Sequence, residues 1–389
     1  MLRFEGKCFM QLATVLGAPG AAMRVPQRQW EDALVSMIRD AFDYHFQRNE
    51  FYRAQCVAAA VDPGDIACRA DLARIPLFPV SMFKRPDAHV LLTAPLTDIE
   101  LEIRSTGTGG VPSVARRDTE TVTRAGIGIF GSYRDFFAVS KGAGLFLCPS
   151  TAEAPEMGMV KVFNLLNGVF DDHVYVVRDY AFDPEEALDY LSKWGGNMTR
   201  HIVGPPFLVN RLLRFLELEE IEVKLDPDSL VITLGGWKRY TGESISREEF
   251  DEKLTRYLGV APDRIRDMYG MIESNMLAVE CEHHRKHVPP WCYVSIRDVQ
   301  NAAVELPAGK TGGIAILDAL NTGYPGFLLS DDVGEVDESA CPCGRNGQTV
   351  TFRRRRQGAE LGCCAVSIEK FIESNEIVAE CAIPVPAEV

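Results

Sequence analysis

Two adjacent cysteines lie in the segment GAELGCCAVSIEKF, at residues 358–371. A cysteine thiolate is a strong nucleophile, so Cys363 or Cys364 could attack an electrophile during group transfer. Both are also small apolar side chains that suit the interior of a strand. Because neighbouring side chains of an extended segment face opposite sides, only one of the two can face a reaction site.

A glycine-rich stretch, RSTGTGGVPSVARRD at residues 104–118, follows a predicted strand at residues 98–104. Glycines let backbone N–H groups approach a polyphosphate, and serine and threonine hydroxyls donate to phosphate oxygens. No Gly-Lys-Ser/Thr follows the glycines, so the stretch is not a Walker A loop. Its glycine spacing also differs from that of the dinucleotide-binding fingerprint. The pattern indicates either another kind of phosphate-binding loop or a flexible surface turn.

Two later stretches favour the phosphate-binding interpretation. DMYGMIESN, at residues 267–275, places an aromatic residue, a glycine and a carboxylate at short offsets. LLSDDVGEVD, at residues 328–337, places paired aspartates just after an apolar strand. The order of the three stretches resembles that of the acyl- and aryl-adenylate-forming enzymes. In that superfamily they hold, in turn, the ATP phosphates, the adenine and a metal ion, and the ribose hydroxyls.

The resemblance implies ATP and Mg²⁺ as cofactors and assigns a role to each motif residue. It places Glu273 at the magnesium ion and Asp332 at the ribose. The third motif reads Ser-Asp-Asp at residues 330–332 instead of the usual Thr-Gly-Asp, so Asp331 remains an alternative for the ribose contact. The remaining nucleotide ligands would be Ser105, Thr106, Gly107, Thr108, Gly109 and Gly110 at the phosphates, and Tyr269 and Gly270 at the adenine.

The chemistry explains these residue types. A substrate carboxylate attacks the α-phosphorus of ATP and pyrophosphate leaves, so positioned N–H groups, hydroxyls and magnesium must neutralise the developing charge. The acyl-adenylate that forms is open to attack by a thiol. An inactive nucleotide-binding subunit is a competing hypothesis, which the intact STGTGG and YGMIES motifs disfavour.

Further stretches resemble one branch of the superfamily, the acyl-protein synthetases known from the fatty acid reductase complex of bacterial bioluminescence. They are TLGGWKRYTGESISREEF (233–250), HVPPWCYV (287–294), CPCGRNGQ (341–348) and the closing GAELGCCAVSIEK. The resemblance implies activation of a fatty acid, its transfer to an enzyme cysteine, and delivery to an acyl-accepting partner such as an NADPH-dependent acyl reductase. That cysteine lies at the place of GCCA, and we choose Cys364 over Cys363. The alternative is a carboxylate–CoA or carrier-protein ligase of the phenylacetate–CoA ligase type, with an external thiol acceptor.

Two basic candidates complete the predicted ATP site. In the superfamily an essential lysine lies on a swinging C-terminal domain of about a hundred residues, and only 57 residues follow Asp332 here. We therefore expect that this lysine cannot be carried over from the superfamily pattern. Lys238, after Gly-Gly-Trp, is our candidate for binding phosphate or the substrate carboxylate; a solvated loop lysine is the alternative. Arg355, in the run Arg353 to Arg356, corresponds to a superfamily arginine near the hinge, and we expect the other three to be solvated.

Four residues have types suited to structural zinc. Cys281 and His287 lie six positions apart, and Cys341 and Cys343 form a Cys-x-Cys pair. Three thiolates and one imidazole make a tetrahedral zinc site. The Cys-x-Cys spacing is tighter than that of a usual zinc ribbon, and some phenylacetate–CoA ligase relatives hold zinc at similar positions. Ordinary loop residues are the alternative interpretation, and further candidate ligands nearby are His283, His284 and Cys292.

Composition limits the partners and the compartment. The chain has 389 residues and a net charge of −14, which argues against nucleic acid or an anionic membrane as the main partner. Its eleven cysteines are too dilute for a disulfide scaffold and favour a reducing cytoplasm. We expect no membrane span, because no run of 18 apolar residues occurs.

The elements that would position these residues alternate along the chain. Strands predicted at 144–150, 172–178, 200–206 and 229–236 alternate with helices at 183–196, 207–218 and 246–259, which indicates a largely parallel sheet. A further amphipathic helix is predicted at 29–50, and short strands follow residue 290. We expect an α/β protein with an adenylate-forming domain of mixed and parallel sheets at residues 1–335. A short, truncated C-terminal segment, 336–389, would carry the acyl-accepting cysteine.

Overall fold

The computed structural model describes residues 9–105, 111–139, 142–179, 181–235 and 245–357. The α-helices are α1 (Phe9–Gly17), α2 (Pro19–Ala22), α3 (Gln27–Arg48), α4 (Glu50–Ala58), α5 (Thr119–Phe137), α6 (Gly158–Asn164), α7 (Pro184–Trp194), α8 (Pro206–Leu218) and α9 (Arg247–Leu258). Short 3₁₀ turns occupy Pro63–Asp65, Arg69–Arg74, Val80–Lys84, Ala88–Leu91, Leu96–Asp98, Leu165–Gly168 and Pro262–Arg264.

The strands begin in the proline-rich part of the chain and dominate after residue 265. They are β1 (Phe78–Pro79), β2 (Ile99–Arg104), β3 (Val114–Asp118), β4 (Ala143–Phe146), β5 (Asp172–Tyr175), β6 (Val177–Arg178), β7 (Ala181–Phe182), β8 (Arg200–Gly204), β9 (Val231–Leu234), β10 (Ile265–Gly270), β11 (Leu277–Glu280), β12 (Lys286–His287), β13 (Cys292–Arg297), β14 (Gly312–Asp318), β15 (Phe327–Asp337) and β16 (Thr349–Arg355).

The described residues form two compact units, and the smaller one lies within Val139–Ile265. Its sheet has the order β9-β8-β4-β5 and is parallel throughout. Every residue of β4, β8 and β9 is buried, as expected for parallel strands covered on both faces. Asp183 caps α7 by accepting from the N–H of Glu185 at 2.9 Å, and Pro184 occupies the first turn. The alternation in the sequence therefore predicted this unit correctly.

The larger unit comprises the described parts of Met1–Ser105, Val111–Ala138 and Arg266–Glu360. Its sheet runs β13-β14-β15-β16-β12-β11-β10 with antiparallel neighbours, and β1 adds to β15 in parallel. A separate hairpin, β2–β3, leads into α5. Parallel strands in one unit and antiparallel strands in the other confirm the predicted α/β class with mixed sheets.

An aromatic cluster at the start of β15 holds this strand against the N-terminal helices. The ring of Phe327 lies 6.2 Å from that of Phe42 on α3 and 6.0 Å from that of Tyr52 on α4. Phe42, Tyr52 and Phe327 are all fully buried. This packing fixes the strand that carries Asp332 further along.

Helix α5 was not predicted, because glycines at positions 126, 128 and 131 lower the helix propensity of its sequence. Its N-terminus is capped by Asp118, whose Oδ1 accepts from the N–H of Thr121 at 3.1 Å. A Cβ on Gly128 would lie 2.7 Å from the ring of Trp291, so the glycine allows a close approach. The predicted domain boundary at 335/336 falls inside β15, and residues from 358 onward lie outside the described chain. That division stays a prediction.

Candidate functional site

The structure describes part of the predicted site, in three places. These are the strands around Asp332, the loop that holds Glu273, and the turns that carry the cysteines. The described candidates are Ser105, Tyr269, Gly270, Glu273, Asp332, Arg355, Cys281, His287, Cys341 and Cys343. Outside the described residues lie Thr106, Gly107, Thr108, Gly109, Gly110, Lys238, Cys363 and Cys364.

Residues of three strands, β10, β15 and β16, meet in what we call the Asp332 cluster, formed by Tyr269, Asp332 and Arg355. The Tyr269 hydroxyl donates to Asp332 Oδ2 at 2.9 Å. Arg355 Nε lies 2.9 Å from Asp332 Oδ1. Asp332 is only 7% exposed, so its charge is held in a largely buried position. Burial and the adjacent Asp332 raise the pKa of the Tyr269 phenol well above its ordinary value, so it stays a protonated donor.

The register of β15 and β16 selects these partners. Asp332 lies directly opposite Arg355, and the register shifts between Val333 and Gly334, next to the aspartate. Such a bulge re-aims side chains at one point of a ladder. Asp331 is next to Asp332 on the strand, where successive side chains face opposite sides. The contacts to Tyr269 and Arg355 are made by Asp332, which favours it over Asp331 for the ribose contact.

Asp332 keeps one carboxylate oxygen for a further partner. Its Oδ1 lies in the ion pair with Arg355 but accepts no hydrogen bond from the described residues. A buried acceptor of this kind suits a hydroxyl donor such as those of a ribose. The donor set therefore fits the sugar of a nucleotide.

The base of the glycine-rich stretch lies beside Glu273. Ser105 and Ser113 bracket the stretch, and the Ser113 N–H donates to Ser105 Oγ at 2.7 Å. The Ser113 side chain is hydrogen-bonded to the Glu273 carboxyl group. Gly270 has a steric role, because a Cβ there would lie 2.9 Å from the carbonyl oxygen of Met276. The first two predicted motifs thus meet at Ser113 and Glu273.

Glu273 has the surroundings of a metal ligand. It is 8% exposed, and burial raises the pKa of its carboxyl group above the ordinary value. Among the described residues, no ion pair includes Glu273. Burial disfavours the ionised carboxylate, the nearby charges of Arg355 and Arg117 favour it, and a bound cation would stabilise it further. Mg²⁺ is usually bound by one or two protein carboxylates together with substrate phosphates, so the residue fits this ion.

Sequence analysis missed the residues that hold the Glu273 loop. Arg117 Nη2 donates to the carbonyls of Ile272, at 2.7 Å, and Ser274, at 3.0 Å. The Tyr324 hydroxyl donates to the carbonyl of Glu273 itself at 2.8 Å. Arg117 lies in the Arg-Arg-Asp of residues 116–118, but no local sequence pattern indicates a partner 155 positions away.

The candidate zinc ligands converge on one point, which we call the cysteine cluster: Cys281, His287, Cys341 and Cys343. Their ligand atoms all lie within 4.8 Å of one another. The Cys281 and Cys341 sulfurs are 3.7 Å apart, and Cys343 Sγ lies 3.3 Å from His287 Nε2. A tetrahedron with Zn–S bonds of about 2.3 Å has sulfur–sulfur edges of about 3.8 Å. The four side chains therefore fit a structural zinc ion, whose presence stays a prediction.

The competing ligands have other partners. His284 Nδ1 lies 2.7 Å from the buried Glu280 carboxylate. The Cys292 thiol is hydrogen-bonded to Asp318, and burial raises its pKa well above the ordinary value. Among the described residues, the cluster around Cys341 does not include them.

Arg345, two positions after Cys343, ties the cysteine cluster to α5. Its Nε donates to Asp135 Oδ2 at 2.8 Å, and its guanidinium lies 4.1 Å from the centre of the Phe136 ring. The Phe136 ring in turn lies 5.6 Å from that of His287. The cluster thus joins the 341–345 turn to a long helix, which suits a structural role.

A parallel α/β unit and an antiparallel unit bearing a Tyr–Asp–Arg group together define an adenylate-forming enzyme. The fold agrees with solved structures of 2-hydroxyisobutyryl-CoA ligase. An open conformation with 2-HIB-AMP and CoA matches with a TM-score of 0.65 and 15% identity, over 86% of this chain and 76% of that one. The thioesterification state matches with a TM-score of 0.65 and 14% identity, over 86% and 70%.

The chain belongs to the LuxE acyl-protein synthetase family, whose sequence profile matches residues 22–372. It is 31% identical over 359 residues to the long-chain-fatty-acid–luciferin-component ligase of Aliivibrio fischeri, covering 90% of each chain. It is 29% identical over 371 residues to the Vibrio harveyi ligase of the same name, covering 93% of each. These findings confirm the predicted family and the predicted enzyme class, a ligase, and they support ATP-dependent activation of a fatty acid. No helix in the described part of the chain has the length and apolar character to cross a membrane.

Proposed function

We propose that this protein activates a long-chain fatty acid as its acyl-adenylate and then carries the acyl group on Cys364 for delivery to an acyl reductase. The observation that carries the proposal is the Asp332 cluster, a nucleotide-compatible site in a chain of the acyl-protein synthetase family. The names of the two bacterial relatives describe ligation of a long-chain fatty acid to a luciferin component.

In the first step the fatty carboxylate oxygen attacks the α-phosphorus of ATP, and the bond to pyrophosphate breaks. Asp332 Oδ1 accepts from a ribose hydroxyl, while Arg355 balances the aspartate charge. Glu273 would hold Mg²⁺, which would supply positive charge to the phosphates. Ser105 and the glycine-rich residues 106–110 donate to phosphate oxygens, and Lys238 binds a phosphate or the fatty carboxylate.

In the second step the Cys364 thiolate attacks the carbonyl carbon of the mixed anhydride. A thioester forms, the bond to phosphate breaks, and AMP leaves with the electron pair. Cys364 follows Arg355 by nine positions, and nine residues span at most about 30 Å. The cysteine is thus within chain reach of the Asp332 cluster. Transfer to a thiol of an NADPH-dependent reductase would then regenerate Cys364.

The test supplies radiolabelled fatty acid and Mg·ATP without any acceptor. We expect label on the denatured protein that hydroxylamine releases. Cys364→Ser should abolish this label but keep acid-dependent pyrophosphate exchange, and Cys363→Ser is the matched control. Labelling of both single variants and of the double variant would contradict the tail-cysteine mechanism. Thioester formation on added CoA, without protein label, would favour the CoA ligase alternative.

A structural Zn²⁺ at the cysteine cluster is a further part of the proposal, and the sulfur and nitrogen distances support it. Metal analysis of untreated protein should give about one equivalent of zinc per chain. Less than half an equivalent of zinc would contradict the site.

A cytoplasmic location is also proposed, since the described cysteines form no disulfide.

A further inference from the structure

Three successive carbonyls around Glu273 are each held by a side chain from a distant part of the chain. Arg117 holds those of Ile272 and Ser274, which flank the glutamate, and Tyr324 holds that of Glu273. A loop normally satisfies such groups with water or with its own turns. Here they are pinned by hydroxyl and guanidinium donors, so the backbone of the glutamate is fixed at three consecutive points.

Arg117 is itself built into the structure. It lies on β3, where Ala115 and Arg117 are buried and Val114 and Arg116 are only partly buried, and Arg117 is 5% exposed. Its Nε donates to Asn275 Oδ1 at 2.7 Å. Asp318 Oδ2 then accepts from the backbone N–H of Asn275, at 2.8 Å, and from its side-chain amide, at 2.9 Å. Asn275 thus joins a buried cation to a buried anion.

A contribution to stability alone does not explain why Arg117 is buried. Burying a guanidinium costs several kcal/mol, which hydrogen bonds must offset. A planar guanidinium presents N–H groups in a rigid fork, so it can hold two carbonyls and an amide oxygen in one plane. Lysine offers a point charge without that geometry. The shape of the contact, and not only its charge, is what the loop requires.

We propose that Arg117 is a positioning residue that sets the Glu273 carboxylate for its metal ion, acting through the backbone carbonyls on either side of it. Tyr324 is the second positioning residue, through the carbonyl of Glu273. The inference rests on the proposed role of Glu273 in binding Mg²⁺. Partners outside the immediate coordination sphere commonly change metal affinity by about 10- to 100-fold when they are removed.

The first measurement uses protein free of nucleotide and added metal. Hydrogen exchange of the peptide spanning residues 271–277 is compared between wild type, Arg117→Lys and Arg116→Lys. Arg116 is the matched control, because it lies next in the strand and pairs with Glu102 at 2.9 Å. We expect faster exchange in Arg117→Lys confined to this peptide. Unchanged exchange in this peptide would contradict the role of Arg117 in holding the loop, whatever Glu273 binds.

The second measurement is Mn²⁺ binding in the presence of ATP, followed by the electron paramagnetic resonance signal of the free ion. Arg117→Lys should weaken Mn²⁺ binding by about 10-fold or more. Tyr324→Phe, which loses only a hydroxyl, should weaken it less and also covers the case in which Arg117→Lys fails to fold. Arg116→Lys should match wild type. Weaker ATP binding with unchanged Mn²⁺ affinity would overturn positioning through Glu273.

The Glu273→Gln variant tests the proposed metal role of Glu273 separately from the positioning role of Arg117 and Tyr324. If Glu273→Gln binds Mn²⁺ as wild type does, the proposed metal role of Glu273 is wrong. The positioning role of Arg117 and Tyr324 toward that metal is then wrong as well. If Glu273→Gln loses Mn²⁺ but Arg117→Lys and Tyr324→Phe do not, only the positioning inference fails.

Discussion

The Asp332 cluster and the cysteine cluster lie in the same unit, yet they differ in how far neighbouring side chains balance their buried polar groups. In the Asp332 cluster a carboxylate is balanced by an arginine and a tyrosine hydroxyl, and one oxygen keeps its capacity to accept. In the cysteine cluster the compensation is partial. Against the opposing effect of burial, hydrogen bonds and the charge of Arg345 lower the pKa of the Cys343 thiol. Burial raises the pKa of the Cys341 thiol, so its thiolate form requires a cation.

Under the proposed function, the Asp332 cluster binds an exchangeable nucleotide and the cysteine cluster binds a permanent zinc ion. A carboxylate that is already balanced can release its ligand without a large electrostatic penalty. Buried thiolates with only partial compensation would hold their ion as part of the fold. Damage to the first should therefore appear in catalysis, and damage to the second in stability.

The largest effect on catalysis is expected at Glu273, the proposed metal ligand. Glu273→Gln keeps the shape of the side chain but removes its charge. We expect acid-dependent pyrophosphate exchange to fall by about 100-fold or more. Raised Mg²⁺ should restore part of the rate, and the melting temperature should change little. An unchanged magnesium dependence would mean that Glu273 serves the structure only.

Asp332→Asn should have the next largest effect. The amide still accepts from the Tyr269 hydroxyl, but a ribose hydroxyl loses a charged acceptor, worth about 1.5–3 kcal/mol. We expect the KM for ATP to rise by about 10- to 100-fold. Asp331→Asn is the control and should resemble wild type. If the two variants behave in reverse, Asp331 holds the ribose.

Loss of zinc should lower stability and leave catalysis nearly unchanged. Cys341→Ser removes one of the four proposed ligands, so we expect loss of bound zinc and a melting temperature lower by several degrees. At temperatures where the variant stays folded, pyrophosphate exchange should be close to that of wild type. A variant with full stability but lost adenylation would break the comparison, because it would place the cysteine cluster in the reaction.

The smallest effect is expected at the solvated arginines. Arg353 forms an exposed ion pair with Glu335 at 2.9 Å, and such pairs contribute about 0–1 kcal/mol. Arg353→Gln should leave both exchange and stability within about twofold of wild type. Arg355→Gln, two positions along the same strand, should raise the KM for ATP. Equal effects of the two would remove Arg355 from the nucleotide site.

Local patterns in the sequence were sufficient for much of the fold. The strands and helices of the parallel unit could be predicted from alternating apolar runs, and α7 from Asp183 followed by Pro184. The motif residues Tyr269 and Asp332 followed from a family resemblance, and the structure brings them into contact. In both cases the signal lies within a few neighbouring residues.

Contacts set by tertiary register were beyond such reasoning. The choice of Arg355 as the partner of Asp332 depends on a shift between β15 and β16, which no local pattern encodes. Arg117 on β3 donates to the carbonyl of Ile272, 155 positions away, and only the tertiary fold brings the two together. Helix α5 was missed because its three glycines lower helix propensity, and the close approach of Gly128 to Trp291 is a tertiary contact that no local pattern encodes.

The position of Arg355 has a kinetic consequence for the proposed acyl transfer. Cys364 follows it by nine residues, so the thiol is confined to a volume around Asp332 with a radius of about 30 Å. One thiol in that volume corresponds to an effective concentration on the order of 10 mM. Self-acylation should therefore be first order and independent of enzyme concentration. A free thiol would need millimolar concentrations to compete, so in the proposed transfer Cys364 of the same chain should receive the acyl group.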